Sequence, residues 1–274
     1  MLENPVNSDA PIGIFDSGVG GLTVFRAIER RLPNESLIYL GDTARVPYGT
    51  RSAATVERYA LEDLAFIQSK NVKAIVIACN TISAFAANLL REQSSLPVIG
   101  VIRAGARRAV EMTRSGYVGV IATKGTIASG AYERAMRSMR SDIETISRAC
   151  PLFVPLAEEG WVDHPATKMI AEEYLAEIRA SRVDTLVLGC THYPLLRPVI
   201  EQVMGDHICY VDSGEAVADV VADMMAEQGL LRTANQPRTE EFYVTDSDLY
   251  FRRVAESFLG RPLESIESVE LGTI

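Results

Sequence analysis

Two cysteines follow two similar apolar segments, and they are the residues best suited to carry chemistry in this sequence. Residues 74–77 and 185–188 are short apolar runs, and each is followed by one small residue and then a cysteine, Cys79 or Cys190. Such runs are typical of buried strands in a parallel sheet. Because ligands bind at the carboxyl ends of such strands, both thiols are predicted to face a ligand site.

Polar neighbours narrow the chemistry of the two thiols to two classes. Asn80 and Thr81 follow the first thiol, and Thr191 and His192 follow the second. One class is acyl transfer or amide hydrolysis, in which a single thiol attacks with His192 as its base. The other is isomerisation, in which one thiolate removes a proton from carbon and the opposite thiol returns a proton to the other face. Only isomerisation uses both thiols.

The other two cysteines are expected to pack rather than react. Cys150 closes an apolar run before a proline, and Cys209 lies inside residues 208–211, which are also largely apolar. Free cysteine commonly behaves as a small buried apolar residue. The sequence has no CxxC pair and three histidines, so a structural zinc site is not predicted.

Composition excludes several kinds of partner. A net charge of −9 leaves no broad basic surface for nucleic acid. No apolar run approaches the roughly 20 residues that a membrane-spanning helix needs, and the first ten residues lack the pattern of a signal peptide. We therefore expect a cytoplasmic protein that binds neither nucleic acid nor membrane and uses no metal.

Strand and helix patterns alternate along the chain, which predicts the α/β class with mostly parallel sheets flanked by helices. Residues 151–156 are expected to form a stiff apolar segment between two such units. The predicted strands cover residues 12–15, 37–40, 74–78, 97–101, 117–121, 143–150, 185–188, 208–211 and 241–244.

Two of the strand-to-helix loops have the composition of ligand-binding loops. Residues 16–21 read Asp-Ser-Gly-Val-Gly-Gly, so the backbone there can approach a ligand closely, although a tight turn capped by Asp16 or Ser17 would need the same residues. Residues 41–49 form a longer loop in which Pro47 and Gly49 flank Tyr48. Neither loop carries a dinucleotide or P-loop fingerprint.

Short repeats predict two similar domains. The strand-cysteine pattern occurs twice, and Asp-Ser-Gly occurs at residues 16–18 and again at 212–214. We expect residues 1–100 plus 210–274 to form one α/β domain and residues 101–209 to form the other. If each domain presents one strand end to a shared cleft, the two thiols face each other across a ligand.

The motifs that carry these features resemble the cofactor-independent aspartate/glutamate racemase family, and its glutamate racemases in particular. The matching segments are GIFDSGVGGL at 13–22, GDTARVPYG at 41–49, ACNT at 78–81, PLFVPL at 151–156, GCTHYPLL at 189–196 and DSGE at 212–215. The resemblance implies two pseudo-symmetric α/β domains with the active site between them. It also implies interconversion of L- and D-glutamate without a cofactor, to supply D-glutamate for peptidoglycan.

The resemblance also implies roles for individual residues. Cys79 is expected to act on the D-enantiomer and Cys190 on the L-enantiomer, with Asp16, Glu158 and His192 adjusting the thiols. The residues expected to contact the substrate are Asp16, Ser17, Pro47, Tyr48, Gly49, Asn80, Thr81, Thr191 and His192.

Several points stay open at this stage. Asp16 can pair with the substrate ammonium group or accept a proton near Cys79, and Glu159 is as well placed in the sequence as Glu158. Aspartate is the alternative substrate within the family. A homodimer is the expected assembly, and some glutamate racemases are linked to inhibition of DNA gyrase, so a second role as a gyrase-binding protein is the alternative from another class.

Overall fold

Two parallel sheets organise the protein, here described from a computed structural model for residues 7–246 and 248–272. The strands are β1 Ile12–Asp16, β2 Leu37–Gly41, β3 Ala74–Ile77, β4 Val98–Gly100, β5 Tyr117–Ala122, β6 Glu144–Ala149, β7 Thr185–Gly189, β8 Cys209–Asp212, β9 Glu240–Val244 and β10 Glu267–Ser268. The first sheet has the order β10-β9-β2-β1-β3-β4, and the second has the order β6-β5-β7-β8. The predicted α/β class with two mostly parallel sheets is confirmed.

Helices cover the faces of both sheets, which explains why the central strands are uninterrupted apolar runs. Every residue of β1, β3 and β7 is buried, as expected for parallel strands that are covered on both faces. The helices are α1 Leu22–Arg31, α2 Ala53–Ser69, α3 Asn80–Phe85, α4 Ala87–Glu92, α5 Val101–Met112, α6 Lys124–Ser129, α7 Ala131–Met139, α8 Phe153–Glu158, α9 Pro165–Arg179, α10 Arg197–Met204, α11 Ser213–Glu227 and α12 Asp248–Leu259.

The strands of the second sheet are contiguous in the sequence, whereas those of the first sheet come from two separate segments. β1 to β4 come before the second sheet, and β9 and β10 return to the first sheet after it. The predicted boundary after residue 209 falls inside β8, which pairs with β7 through Leu186↔Tyr210 and Val187↔Val211. Residues 210–212 therefore lie in the second sheet.

A continuous apolar core joins the two sheets. α11 packs against both α1 and α5. One buried cluster contains Ile14 and Val76 from the first sheet together with Leu186 and Leu188 from the second. Because this core is shared, the carboxyl ends of β1, β3, β5 and β7 are held around one cleft.

Two local predictions differ from the structure. Much of the apolar segment at residues 151–156 is helical, because α8 begins at Phe153 and continues to Glu158. The side chain of Cys209 is exposed rather than packed, since β8 is the edge strand of its sheet and its first residue faces solvent. Cys150 is fully buried, in keeping with a packing role.

Candidate active site

A cavity of about 290 Å³ opens where the strand ends of the two sheets meet. Eleven of the twelve residues that the sequence singles out line it; the exception is Asp16. None of the lining residues, all in the described part of the chain, is lysine or arginine. The lining residues are Ser17, Gly18, Val19, Val46, Pro47, Tyr48, Gly49, Cys79, Asn80, Thr81, Thr123, Val154, Glu158, Cys190, Thr191 and His192.

Cys79 reaches the cavity from the first sheet, two residues after the end of β3. Its side chain is 6% exposed, and its Sγ lies 3.4 Å from Ser17 Oγ in the loop after β1. Burial and the negative charge of Asp16 raise the pKa of Cys79 to about 12, although the contact with Ser17 opposes this shift. At neutral pH and without a ligand, this thiol is therefore protonated.

Cys190 reaches the cavity from the second sheet and belongs to a three-residue array. His192 Nδ1 lies 3.9 Å from Cys190 Sγ, and His192 Nε2 lies 2.8 Å from Glu158 Oε1. Burial by itself lowers the pKa of His192, but the hydrogen bonds with Cys190 and Glu158 outweigh it and raise the pKa to about 10. His192 is thus an imidazolium at neutral pH, and it stabilises negative charge on the Cys190 sulfur. Glu159 is exposed and is absent from the cavity lining.

Asp16 lies behind the cavity wall, at the end of β1. It is 1% exposed, and its Oδ2 accepts a hydrogen bond of 3.0 Å from the backbone N–H of Gly18. Its Oδ1 is buried without a hydrogen-bond partner. Burial raises the pKa of Asp16, while the positive charge of His192 and nearby backbone N–H groups oppose this shift. The Asp16 carboxyl thus fixes the loop that carries Ser17 through Gly18, and its Oδ1 has no hydrogen-bond donor.

The loop that carries Pro47, Tyr48 and Gly49 is fixed from behind by a buried ionic cluster. The hydroxyl of Tyr48 donates to Asp42, and Arg45 Nε donates to the same carboxylate at 2.6 Å. Arg45 also pairs with Glu62 and Asp63 on α2. These contacts attach the cavity-lining loop to a long helix of the first sheet.

Thr123 is a lining residue that sequence reasoning missed. Its Oγ1 lies 3.0 Å from the Oγ1 of Thr81 and 3.0 Å from that of Thr126, so it joins the loop after β5 to α3. Thr123 follows β5 directly at its carboxyl end, the same position that identified both thiols. A search for polar residues at the carboxyl ends of the predicted strands could therefore have identified Thr123. Three valines were also missed: Val19, Val46 and Val154.

A comparison with protein-family models matches residues 12–221 to the Asp/Glu/Hydantoin racemase family. The match covers most of the chain and contains both thiols. The chain belongs to this family. Membership, together with the relatives described next, identifies it as a racemase and therefore an isomerase.

Individual relatives place the chain among the glutamate racemases of the family. It is 51% identical to a glutamate racemase of Geobacter metallireducens over 95% of this chain and 96% of the relative. It is 48% identical to that of Chlorobaculum tepidum over 98% and 99%. The crystal structure of a Francisella tularensis glutamate racemase in complex with D-glutamate is 40% identical, with a TM-score of 0.92 over 97% of this chain and all of that one.

Two other kinds of site are absent from the described part of the chain. No group of three or more histidine, cysteine, aspartate or glutamate side chains in residues 7–246 and 248–272 could hold a metal ion. In the same residues no helix is long and apolar enough to cross a membrane.

Proposed function

We propose that this enzyme interconverts L-glutamate and D-glutamate by moving the α-proton between Cys79 and Cys190. The observation that supports this most directly is that each sheet contributes one buried thiol to the same cavity. Inversion requires one group to remove the proton from one face of the carbon and another to deliver a proton to the opposite face. Two thiols on separate sheets provide the two groups.

The two thiols have different surroundings, and this gives the reaction a starting direction. Burial raises the pKa of Cys79, so this thiol holds its proton, and the imidazolium of His192 lies beside Cys190. In the L-to-D direction Cys190 reacts as the thiolate and takes the α-proton of L-glutamate while Cys79 delivers a proton to the other face, which yields D-glutamate. Each turnover therefore leaves the proton on the opposite thiol, and the reverse reaction starts from that form.

The cavity offers hydrogen-bond donors for the two carboxylates of the substrate. Ser17, Asn80, Thr81 and Thr191 provide hydroxyl and amide donors, and His192 provides a positive charge. Such donors bind an α-carboxylate and stabilise the charge that develops as the α-proton leaves. Asp16 does not line the cavity, so of its two candidate roles the one near Cys79 fits better than pairing with the substrate ammonium group. The D-glutamate complex of the Francisella tularensis relative supports glutamate as the substrate.

The array of Cys190, His192 and Glu158 also fits a cysteine hydrolase, in which the histidine acts as a base. One observation favours racemisation. A hydrolase would leave Cys79, equally buried in the same cavity, without a role.

Racemisation in D₂O tests the two-thiol reaction. Each enantiomer of glutamate is supplied separately, and the α-deuterium content of substrate and product is measured during the first turnovers. We expect deuterated product and undeuterated remaining substrate in both directions, because the returning proton comes from a thiol in exchange with solvent. Product that retains the original proton would contradict two separate proton carriers.

The rate with aspartate tests the choice of substrate. Racemisation of aspartate, assayed in parallel, should be far slower than that of glutamate. Equal rates would favour aspartate racemase activity.

The proposed glutamate racemisation also indicates a role and a location in the cell. D-glutamate from this reaction would supply peptidoglycan synthesis, and the two free thiols require a reducing compartment such as the cytoplasm. A homodimer remains a prediction that light scattering of the purified protein tests. Gyrase binding also remains a prediction, and a supercoiling assay with added protein tests it.

A further inference from the structure

The residue after Cys79 is hydrogen-bonded to the opposite sheet. Asn80 follows β3 of the first sheet, and its Oδ1 accepts a hydrogen bond of 2.7 Å from the hydroxyl of Tyr132. Tyr132 belongs to α7 and packs in the apolar cluster around β5 and β7. Asn80 Nδ2 also donates to Ser213 Oγ at 3.4 Å, and Ser213 in turn donates to the backbone carbonyl of Leu188 on β7.

The residue after Cys190 has the reciprocal arrangement. Thr191 follows β7 of the second sheet, and its backbone carbonyl accepts a hydrogen bond of 2.9 Å from Thr23 Oγ1, whose single hydrogen is shared with the Gly20 carbonyl at 3.0 Å. Thr23 lies on α1, which flanks the first sheet, and it is 5% exposed. Each thiol is therefore followed by a residue that is bonded to a side chain from the other half of the molecule.

We propose that Tyr132 and Thr23 are positioning residues that hold the two thiols in register across the cleft. The inference rests on the two-thiol reaction proposed above. Tyr132 sets the position of the Cys79 loop relative to the second sheet, and Thr23 sets the position of the Cys190 loop relative to the first. Neither residue lines the cavity, so both act through the residue that follows a thiol.

The two hydrogen bonds fix the thiols relative to each other from both sides of the cleft. All four bonded residues are buried, so water cannot replace a missing partner, and loss of either bond leaves a buried polar group unsatisfied. Each bond therefore favours the arrangement in which both thiols reach the cavity, where one acts as the base and the other as the acid.

Direction-specific isotope effects test the proposal. In the L-to-D direction Cys190 removes the α-proton, and in the D-to-L direction Cys79 does. Thr23→Val slows transfer at Cys190, so the deuterium isotope effect on kcat/KM should rise with α-deuterated L-glutamate and fall with α-deuterated D-glutamate. Tyr132→Phe should produce the opposite pattern. Each variant should lower kcat/KM about three- to ten-fold, the effect of one buried hydrogen bond.

Matched variants separate positioning from general damage. Thr23→Ser keeps the hydroxyl and should restore wild-type isotope effects. Thr167→Val removes a comparable buried bond, from Thr167 Oγ1 to the carbonyl of Trp161 at 2.6 Å, and should change neither isotope effect. Wild-type isotope effects in both test variants, or the same shift in both, would overturn the positioning roles. Full racemisation by Cys79→Ala or Cys190→Ala would instead overturn the two-thiol reaction itself.

Discussion

Glu158 Oε1 lies 2.8 Å from His192 Nε2, the ring nitrogen that faces away from Cys190. This carboxylate helps to raise the pKa of His192 to about 10. The positive charge beside the Cys190 sulfur is therefore maintained from the far side of the imidazole ring.

Replacing Glu158 should shift the pH dependence of the reaction with L-glutamate. In the wild type, kcat/KM should decline as the pH rises towards 10, because His192 then loses its proton. Glu158→Gln removes one interaction that raises this pKa, so the alkaline decline should begin at lower pH. Initial rates across neutral and alkaline pH give the measurement, with the exposed neighbour Glu159→Gln as the control. Superimposable profiles for Glu158→Gln and wild type would contradict the role of the carboxylate.

The two cavity cysteines should be indispensable, and an exposed one should not. Cys79→Ala and Cys190→Ala each remove one of the two proposed proton carriers, which should lower racemisation about 100- to 10,000-fold. Cys209→Ala, which alters a thiol on the outer edge of the second sheet, should leave the rate unchanged. A coupled assay of D-glutamate formation distinguishes these outcomes.

Gly20 should tolerate no side chain, because two cleft residues occupy the space where a Cβ would lie. An added methyl group would stand 2.3 Å from Thr191 Oγ1 and 2.4 Å from His192 Nδ1. Gly20→Ala should therefore cost about 1–3 kcal/mol of unfolding free energy and lower kcat by displacing His192. At Gly18 the nearest such contact is the flexible end of Val46, at 3.0 Å. Urea denaturation should consequently show a smaller loss for Gly18→Ala, and equal losses would refute the crowding argument.

Thr123 should contribute to substrate affinity. Thr123→Val removes a hydroxyl that lines the cavity and bonds to Thr81, so KM for glutamate should rise about five-fold, as expected for one lost hydrogen bond. Thr123→Ser should restore KM. Thr126→Val is the control, because Thr126 belongs to the same hydroxyl cluster as Thr81 and Thr123 but does not line the cavity. This variant disrupts the cluster and keeps the Thr123 hydroxyl in the cavity. An equal rise of KM in Thr126→Val would indicate that the cluster matters and not the contact with substrate.

Asp63 should make the stability of the protein depend on pH. Burial and the neighbouring Asp42 raise the pKa of this carboxyl well above its ordinary value, and they outweigh the ion pair with Arg45, which lowers it. The folded state therefore holds a proton that the unfolded chain releases, so stability falls as the pH rises from the unfolded pKa towards the folded one. Asp63→Asn removes this penalty. The melting temperature of Asp63→Asn relative to wild type should increase between acidic and mildly alkaline pH, and a constant difference would contradict the prediction.

The sequence predicts the parts of this site that follow strands, because a residue that ends a parallel strand has a known place in the fold. Cys79, Cys190 and their polar neighbours were found in that way, and all of them line the cavity. Asp16 also ends a strand, but its side chain lies behind the wall. The pattern identifies the position of a residue in the strand and does not give the direction of its side chain in the cleft.

Tertiary contacts explain what the sequence could not predict. Thr23 and Tyr132 lie on helices, where their spacing is that of ordinary amphipathic residues. Only the packing of the two sheets brings them to Thr191 and Asn80. The exposure of Cys209 could not be predicted either, because an edge strand and an interior strand have similar sequences but differ in exposure.

The order in which the two sheets are completed has a consequence for biosynthesis. The ribosome releases all four strands of the second sheet before it releases β9, which pairs with β2. Until then β2 is an open edge that can pair with another chain. Nascent chains therefore expose an unpaired strand edge during this interval, when both thiols have already been synthesised and the first sheet is still incomplete.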